Sequence, residues 1–188
     1  MQGSLSSGYD FCMRTRNLAD LYKLPLIEWS EVVARLSAGI EQAPGSGGPN
    51  HHVFWLATVN DDGSPHQTGV GALWAEGALW FETGASTRKG RNLARDPRCS
   101  LSVNTDEFHI IVEGDAEMVT DPATVAKVAR WYAEDGWPAS VDESGAALTA
   151  EYSAPSAGAP PWNVYRVVPR AATVLGIIGA GGATRFWF

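Results

Sequence analysis

Between Glu82 and Arg98 the chain reads ETGASTRKGRNLARDPR, and five cations, Arg88, Lys89, Arg91, Arg95 and Arg98, fall within eleven residues. The whole protein holds 14 Lys and Arg against 21 Asp and Glu, so the cluster stands in an acidic background. Ser86 and Thr87 directly precede Arg88, and a hydroxyl at that point is a good N-cap for a short helix. Arg88 and Lys89 then fall in the first turn, where the positive end of the helix dipole makes each cation unfavourable by about 0.3–1 kcal/mol. A bound anion offsets this. Free backbone N–H groups, the dipole and two cationic side chains converge on one point, as they do where helix N-termini hold phosphate. The preceding TGAS adds a tight turn and the hydroxyls of Thr83 and Ser86. Arg91, Arg95 and Arg98 lie on a face that could hold a longer anionic tail, pair with acidic neighbours or stay solvated.

Composition bounds what surrounds this cluster. A chain of 188 residues, 45% hydrophobic and 19% charged, can bury one core and has no need of two. Eight Trp and 20 Gly suit an all-β or mixed fold better than a helical bundle. A net charge of −7 opposes non-specific binding to nucleic acid or to anionic membranes, which makes the basic cluster a pocket rather than a footprint. Cys12 and Cys99 share no metal or redox spacing and read as free thiols. No apolar run approaches the roughly 20 residues of a membrane span, and the first 25 residues lack the order of a signal peptide. The expectation is a soluble cytoplasmic protein.

The elements that must position the cluster follow from periodicity. Residues 1–13 read as a loose tail and 14–188 as a single domain. Val32, Val33, Leu36 and Ile40 recur at helical spacing, and APGSGGPN (43–50) ends that helix as a loop. VFWLATVN (53–60), HQTGVGALW (66–74) and ALWFET (78–83) read as strands joined by hairpins. CSLSVNT (99–105) and FHIIVEGDAEMVT (108–120) continue the meander, with a bulge expected at Gly114. Asp121 and Pro122 open a helix with an apolar stripe at Val125, Val128, Ala129 and Tyr132. Residues 139–161 read as a loop or lid, and WNVYRVVP (162–169) and TVLGII (173–178) as further strands. The fold class expected is mainly β, a compact β-barrel with peripheral helices.

The order of strand, hairpin and strand, followed by FETGASTRKGRNLARDPR and another strand, resembles the split β-barrel superfamily of pyridoxamine 5′-phosphate oxidase-like proteins. LATVNDDGSPHQTGVGALW, GALWFETG, KGRNLARDPR, VEGDAEMVTDP, YRVVP and the closing ATRFWF, with the early RNLADLYKLPLIEW, are similar to the branch that uses the 5-deazaflavin coenzyme F420. The resemblance covers about residues 14–188. It implies a homodimer with two cofactor sites at the subunit interface, each built from both chains. The cofactor phosphate would lie against Thr83, Ser86, Thr87, Arg88 and Lys89, with Asn92 on the same helix. Its ring would lie along Gln67, Thr68, Gly69, Val70, Gly71 and Ala72, and Arg185 would join the same constellation.

Oxidases of the superfamily that use flavin mononucleotide (FMN) place an Arg near Gln67, a Lys near Ala72 and a Trp near Leu175. Those departures weigh against FMN, whereas a strand of small residues lets a planar ring approach the backbone closely. The activity implied is hydride transfer from the reduced deazaflavin to an unsaturated or quinone-like small molecule, with the chemistry carried by the coenzyme. Two other readings stand beside it: an FMN-binding protein of the same fold, and a non-catalytic protein that binds or stores such a cofactor or haem.

Of the other reactive side chains, His66 could hydrogen-bond the cofactor or protonate a substrate, or be structural. His109 reads as an ordinary strand position. His51 and His52 lack a third ligand at a useful spacing, so no metal is expected. Trp74 and Trp80 are expected to pack in the core, with a cofactor wall as the other use. Trp162 and the Phe186–Trp187–Phe188 ending are expected at the dimer interface.

Overall fold

The computed structural model describes residues 13–42 and 52–188. The expected tail up to residue 12 with Cys12, the 43–50 loop and His51 lie outside the described residues.

The strands are β1 (Arg14–Asn17), β2 (Phe54–Val59), β3 (Pro65–Val70), β4 (Ala72–Ala75), β5 (Ala78–Thr83), β6 (Arg98–Asn104), β7 (Phe108–Val119), β8 (Ser140–Val141), β9 (Leu148–Thr149), β10 (Asn163–Gly176) and β11 (Gly182–Trp187). The helices are α1 (Trp29–Ser37), α2 (Arg88–Arg95) and α3 (Pro122–Glu134), with single 3-10 turns at Asp20–Tyr22 and Pro155–Ala157. The main sheet runs β1-β11-β10-β7-β6-β2-β3, with β5 on β10 and β4 on β5. As a ladder it is open, because β3 and β4 pair with different neighbours. They are nonetheless consecutive in the chain, separated by Gly71 alone. That step brings β3, one end of the path, beside the β4–β5 branch, so the sheet curls into a split β-barrel without closing its ladder, and the protein is mainly β.

The barrel interior collects Phe54, Leu56, Leu79, Phe81, Leu101, Ile110, Val112, Val167, Val174 and Phe186. On the other side of β5, Ala78 and Trp80 meet Val125, Val128, Ala129 and Tyr132 of α3, together with Leu148 and Trp162. Strand β5 is therefore buried on both faces, every residue of it. Helix α3 starts as its sequence requires: the Asp121 carboxylate accepts from Thr124 N–H at 2.9 Å, and Pro122 occupies the first turn.

The structure corrects several expectations. The run 66–74 is two strands rather than one, and 162–169 with 173–178 form the single strand β10. The bulge lies between Pro169 and Ala171 on β10, opposite Gly114 rather than at it. A Cβ on Gly114 would lie 2.1 Å from the Val168 carbonyl oxygen, so the glycine admits the neighbour's bulge. RTRN forms β1 although nothing in it is apolar, because β11 supplies its hydrogen bonds. The 139–161 stretch is structured by β8, β9 and the Pro155–Ala157 turn.

The aromatic ending also differs from expectation. Phe186 and Phe188 pack on Trp29 at 5.2 and 4.8 Å between ring centroids, and Trp162 is buried beside Trp137 at 5.6 Å. These rings find their partners inside the chain. Of the group, Trp187 faces outward, under the Arg14 guanidinium at 4.2 Å. Trp74 packs against the barrel core, while Trp80 is buried beneath α3 with its Nε1–H on the Ala75 carbonyl at 2.9 Å.

Candidate functional site

Helix α2 begins where the hydroxyls place it. Thr87 is extended, and its Oγ1 accepts from Gly90 N–H at 3.0 Å and donates to the Gly84 carbonyl at 2.8 Å. Thr83 Oγ1, fully buried, lies 2.9 Å from Thr87 Oγ1. Gly90 lets the first turn press against the loop before it: a Cβ there would lie 2.4 Å from the Gly84 carbonyl oxygen.

The two cations of that turn diverge. Arg88 is exposed, with Ser86 exposed beside it. Lys89 is buried, 2% exposed, and its ammonium donates to the Ser156 carbonyl. Burial pulls the Lys89 pKa down, and the nearby Glu82 carboxylate pushes it back up. Glu82, 6% exposed, is pushed up to about 7, above all by burial, against the polar influence of neighbours that include Tyr132 and Ser153 and against the attraction of Lys89. Tyr132 donates to the Trp80 carbonyl at 3.3 Å, and burial followed by the Glu82 charge raises its phenol well above the ordinary value.

On the other flank Asn92, also buried, donates to Thr58 Oγ1 at 3.0 Å and Asn60 Oδ1 at 3.1 Å, fastening α2 to β2. His66 Nδ1 lies 3.5 Å from the same Thr58 hydroxyl. Burial, then the charges of Arg88 and Lys89, lower its pKa. The remaining cations are spoken for within the chain. Arg91 donates to the Ser86 carbonyl, Arg95 to the Val59 carbonyl, and Arg98 pairs with Asp96 at 2.6 Å.

Strand β3 alternates. Val70, with Ala72 just beyond the strand, is buried toward the interior, and Thr68 pairs with Leu56 of the core. Gln67 and Gly69 pair with Ala57 and Trp55 on the outward side, where Trp55 is half exposed. A Cβ on Gly71 would meet nothing within 4 Å. Ser156 joins the strand to the helix, its Oγ donating to the Gly69 carbonyl at 3.0 Å while its own carbonyl receives Lys89.

Arg185 is not part of this group within one chain. It pairs with Thr173 at one end of β10, whereas Thr83 pairs with Asn163 at the other. Ten residues of β10 separate the two registers, roughly 30 Å along the strand at ~3.3 Å per residue.

The family model for pyridoxamine 5′-phosphate oxidase matches residues 48–162, more than half of the chain and the whole span from β2 through the Pro155–Ala157 turn. The chain belongs to the pyridoxamine 5′-phosphate oxidase family.

Solved structures similar to this family member carry the same fold. A conserved hypothetical protein from Mycobacterium tuberculosis is 24% identical with a TM-score of 0.54, covering 78% of this chain and 83% of its own. A pyridoxamine 5′-phosphate oxidase-related, FMN-binding protein from Nostoc punctiforme is 19% identical with a TM-score of 0.53, covering 85% and 91%. A heme-binding protein from Mycobacterium smegmatis is 18% identical with a TM-score of 0.53, covering 85% of this chain and 59% of its own. No curated protein matches.

Sequence reasoning about this family member passed over Glu82, Tyr132, Ser153 and Ser156. A signal existed for the first: ALWFET is apolar on both faces, so a carboxylate at its end enters a buried strand. Lys89 and Leu93, one turn apart, mark the inward face of α2.

Proposed function

We propose that the protein is a homodimeric oxidoreductase that holds a 5-deazaflavin against the start of α2 and the outward edge of β3, and reduces an unsaturated or quinone-like small molecule. The observation that carries this reading is the junction made by Ser156. It ties an exposed helix start with Arg88 to the backbone of a strand that bears Gly69 and runs into Gly71. The residues fit such a group. The helix start offers N–H groups and Arg88 to a phosphate, and Gly71 borders open space into which a planar ring can come close to the backbone.

When bound, the reduced coenzyme supplies the hydride. The chain's own contribution is position. Thr87 and Gly90 set the helix start, Asn92 anchors it to β2, and β3 presents a flat edge. His66, kept toward its neutral form by burial and then by the Arg88 and Lys89 charges, is available in this reading to hydrogen-bond a ligand. The outward sheet face, with Trp55, Ile111 and Trp187 partly exposed, is the dimer surface in this reading. Arg185 then serves the partner's site, since it is too far along the sheet to serve its own. A cytoplasmic setting belongs to the same reading.

FMN is the second reading, favoured by the family match itself. Against it, the positions where FMN oxidases carry cationic side chains hold neutral Gln67 and the deeply buried Ala72. The deciding experiment titrates the apoprotein with each cofactor by quenching of tryptophan fluorescence, for wild type and Arg88→Ala. Micromolar binding of the deazaflavin, weakened by the substitution, supports the proposal. Binding of FMN alone moves the assignment to the second reading. Tight binding of either without turnover of any acceptor makes the protein a carrier.

A further inference from the structure

Strand β4 pairs with β5 alone, which leaves its second edge outside the sheet. The Gln42 side chain covers the start of that edge: its amide accepts from Ala72 N–H at 3.0 Å and donates to the Ala72 carbonyl at 2.7 Å. Outward groups recur at every second residue of an antiparallel strand, so the N–H and C=O of Trp74 face the same way. Along this edge lies a cavity of about 430 Å³, between the ends of α1 and α3. Its size is that of a small-molecule site. Leu36 and Phe54 bring the barrel core to it, Trp74 and Trp131 stand in its lining, and the exposed Glu134 and Asp135 complete it where α3 ends.

The charges of this lining are one-sided. Carboxylates at the negative end of a helix dipole are unfavourably placed, and the last turn of α3 carries no basic residue. Among the described residues that line the cavity, none is Lys, Arg or His. Of the cations on the two helices, Arg35 pairs with Glu107 and Lys127 with Glu76, and Arg130 does not line the cavity. Lys127 also lies over the Trp131 ring at 5.3 Å, so this indole already attracts one ammonium.

We propose that the cavity binds a small organic cation, an ammonium carried on a planar apolar body, with its charged head at Glu134 and Asp135 and its body against Trp74 and Trp131. The ligand supplies the positive charge that the end of α3 lacks, and the indole rings attract both the cation and the apolar surface behind it. The same carboxylates repel a phosphate-bearing molecule. No residue of β3 or α2 lines the cavity, so the site stands apart from the function proposed above.

The test is calorimetric titration with tryptamine, which joins an ammonium to an indole, beside neutral indole and anionic indole-3-acetate. Tryptamine is expected to bind at millimolar concentration or below, and the other two at least about tenfold more weakly. The double variant Glu134→Gln, Asp135→Asn is expected to lose roughly tenfold in tryptamine affinity, the loss of two partly solvated charge contacts. The control variant Asp61→Asn, Glu151→Gln removes two exposed carboxylates that do not line the cavity, and its affinity is expected to match wild type. All four positions are exposed, so both variants are expected to keep the wild-type thermal midpoint. In nitrogen-15 spectra the indole N–H signals of Trp74 and Trp131, assigned from Trp→Phe variants, are expected to shift with tryptamine. No binding of tryptamine, equal binding of the three probes, or unmoved Trp74 and Trp131 signals overturns the proposal. So does an equal loss in the two double variants, which would reduce the effect to general attraction by a chain of net charge −7. The cofactor titration with Arg88→Ala touches none of these residues and succeeds or fails independently.

Discussion

Arg185 meets Glu113 end-on across the strand between them, Nη1 to Oε1 at 2.8 Å and Nη2 to Oε2 at 2.6 Å, while Nη1 also donates to Thr173 on that strand. The guanidinium holds the Glu113 carboxyl below its usual range, chiefly through these hydrogen bonds. Both side chains remain partly solvated, so the pair contributes no more than about 1 kcal/mol to stability. Arg185→Ala is expected to leave the thermal midpoint almost unchanged and to weaken cofactor binding about tenfold, the loss of one charge-assisted contact. Mixing protomers carrying Arg185→Ala with protomers carrying Arg88→Ala tests where that contact is made. If sites are shared, about a quarter regain full affinity, because half of randomly paired dimers are mixed and each mixed dimer holds one intact site. No recovery would place Arg185 outside the partner's site.

The start of α2 depends on the Thr87 hydroxyl and on the missing side chain of Gly90. Thr87→Val removes the cap and is expected to cost about 1–2 kcal/mol, with Thr87→Ser close to wild type. Gly90→Ala should destabilise although alanine favours helices by about 1 kcal/mol over glycine, because its Cβ would fall 2.4 Å from a backbone oxygen. Urea denaturation of the three variants measures both effects. A stabilised Gly90→Ala would contradict the packing described.

Glu82 gives stability a definite pH dependence. The unfolded carboxyl titrates near 4.5 and the folded one at about 7. Between those values the folded protein holds a proton that the unfolded chain has lost, so stability is full below the window and falls as pH rises through it. Glu82→Gln, neutral throughout, is expected to match wild type at pH 5 and exceed it at pH 8 by roughly 3 kcal/mol. Thermal melts at the two pH values decide it: equal gains at both would separate the effect from Glu82 ionisation.

Gly114→Ala is expected to be among the most damaging single substitutions in the barrel. The carbonyl it would strike belongs to Val168, in the middle of β10, and backbone there cannot retreat without loss of the ladder to β7. A loss of at least about 2 kcal/mol is expected, readable by the same melts. A variant as stable as wild type would show that the bulge can shift.

Cys99 offers a check on the core itself. Burial pushes its thiol up to about 12, and the residue is 8% exposed. It is expected to resist alkylation at pH 8 in the native protein and to react on unfolding.

Much of the fold was legible because burial on a sheet leaves a period of two: Phe54, Leu56 and Thr58 are inward on β2, and Cys99, Leu101 and Val103 on β6. Strand β1 was not, since Arg14 to Asn17 carry no apolar alternation and their order comes from β11. Pro169 and Arg170 look like the end of a strand, yet the bulge absorbs them and β10 continues. At the site, the hydroxyl cap and the exposed Arg88 could be read from residue types. The inward turn of Lys89 could not, because a lysine beside an arginine at a helix start reads as one cationic pair until the helix face is known. Glu82 and Ser156 are 74 residues apart, and only the folded chain brings both to Lys89.

Strand β10 carries a consequence for how this chain comes to be folded during synthesis. It pairs with β7 along one edge and with β5 and then β11 along the other. Until residues 163–176 have left the ribosome, β5 and β7 both show open edges to the cell, and β1 waits longer still, for the last strand of the described chain. The middle of the sequence must therefore stay unaggregated while its neighbours are still being made, a demand typical of pairings between distant segments. A nascent chain halted before β10 is left with the sticky edges of a sheet and none of its closure.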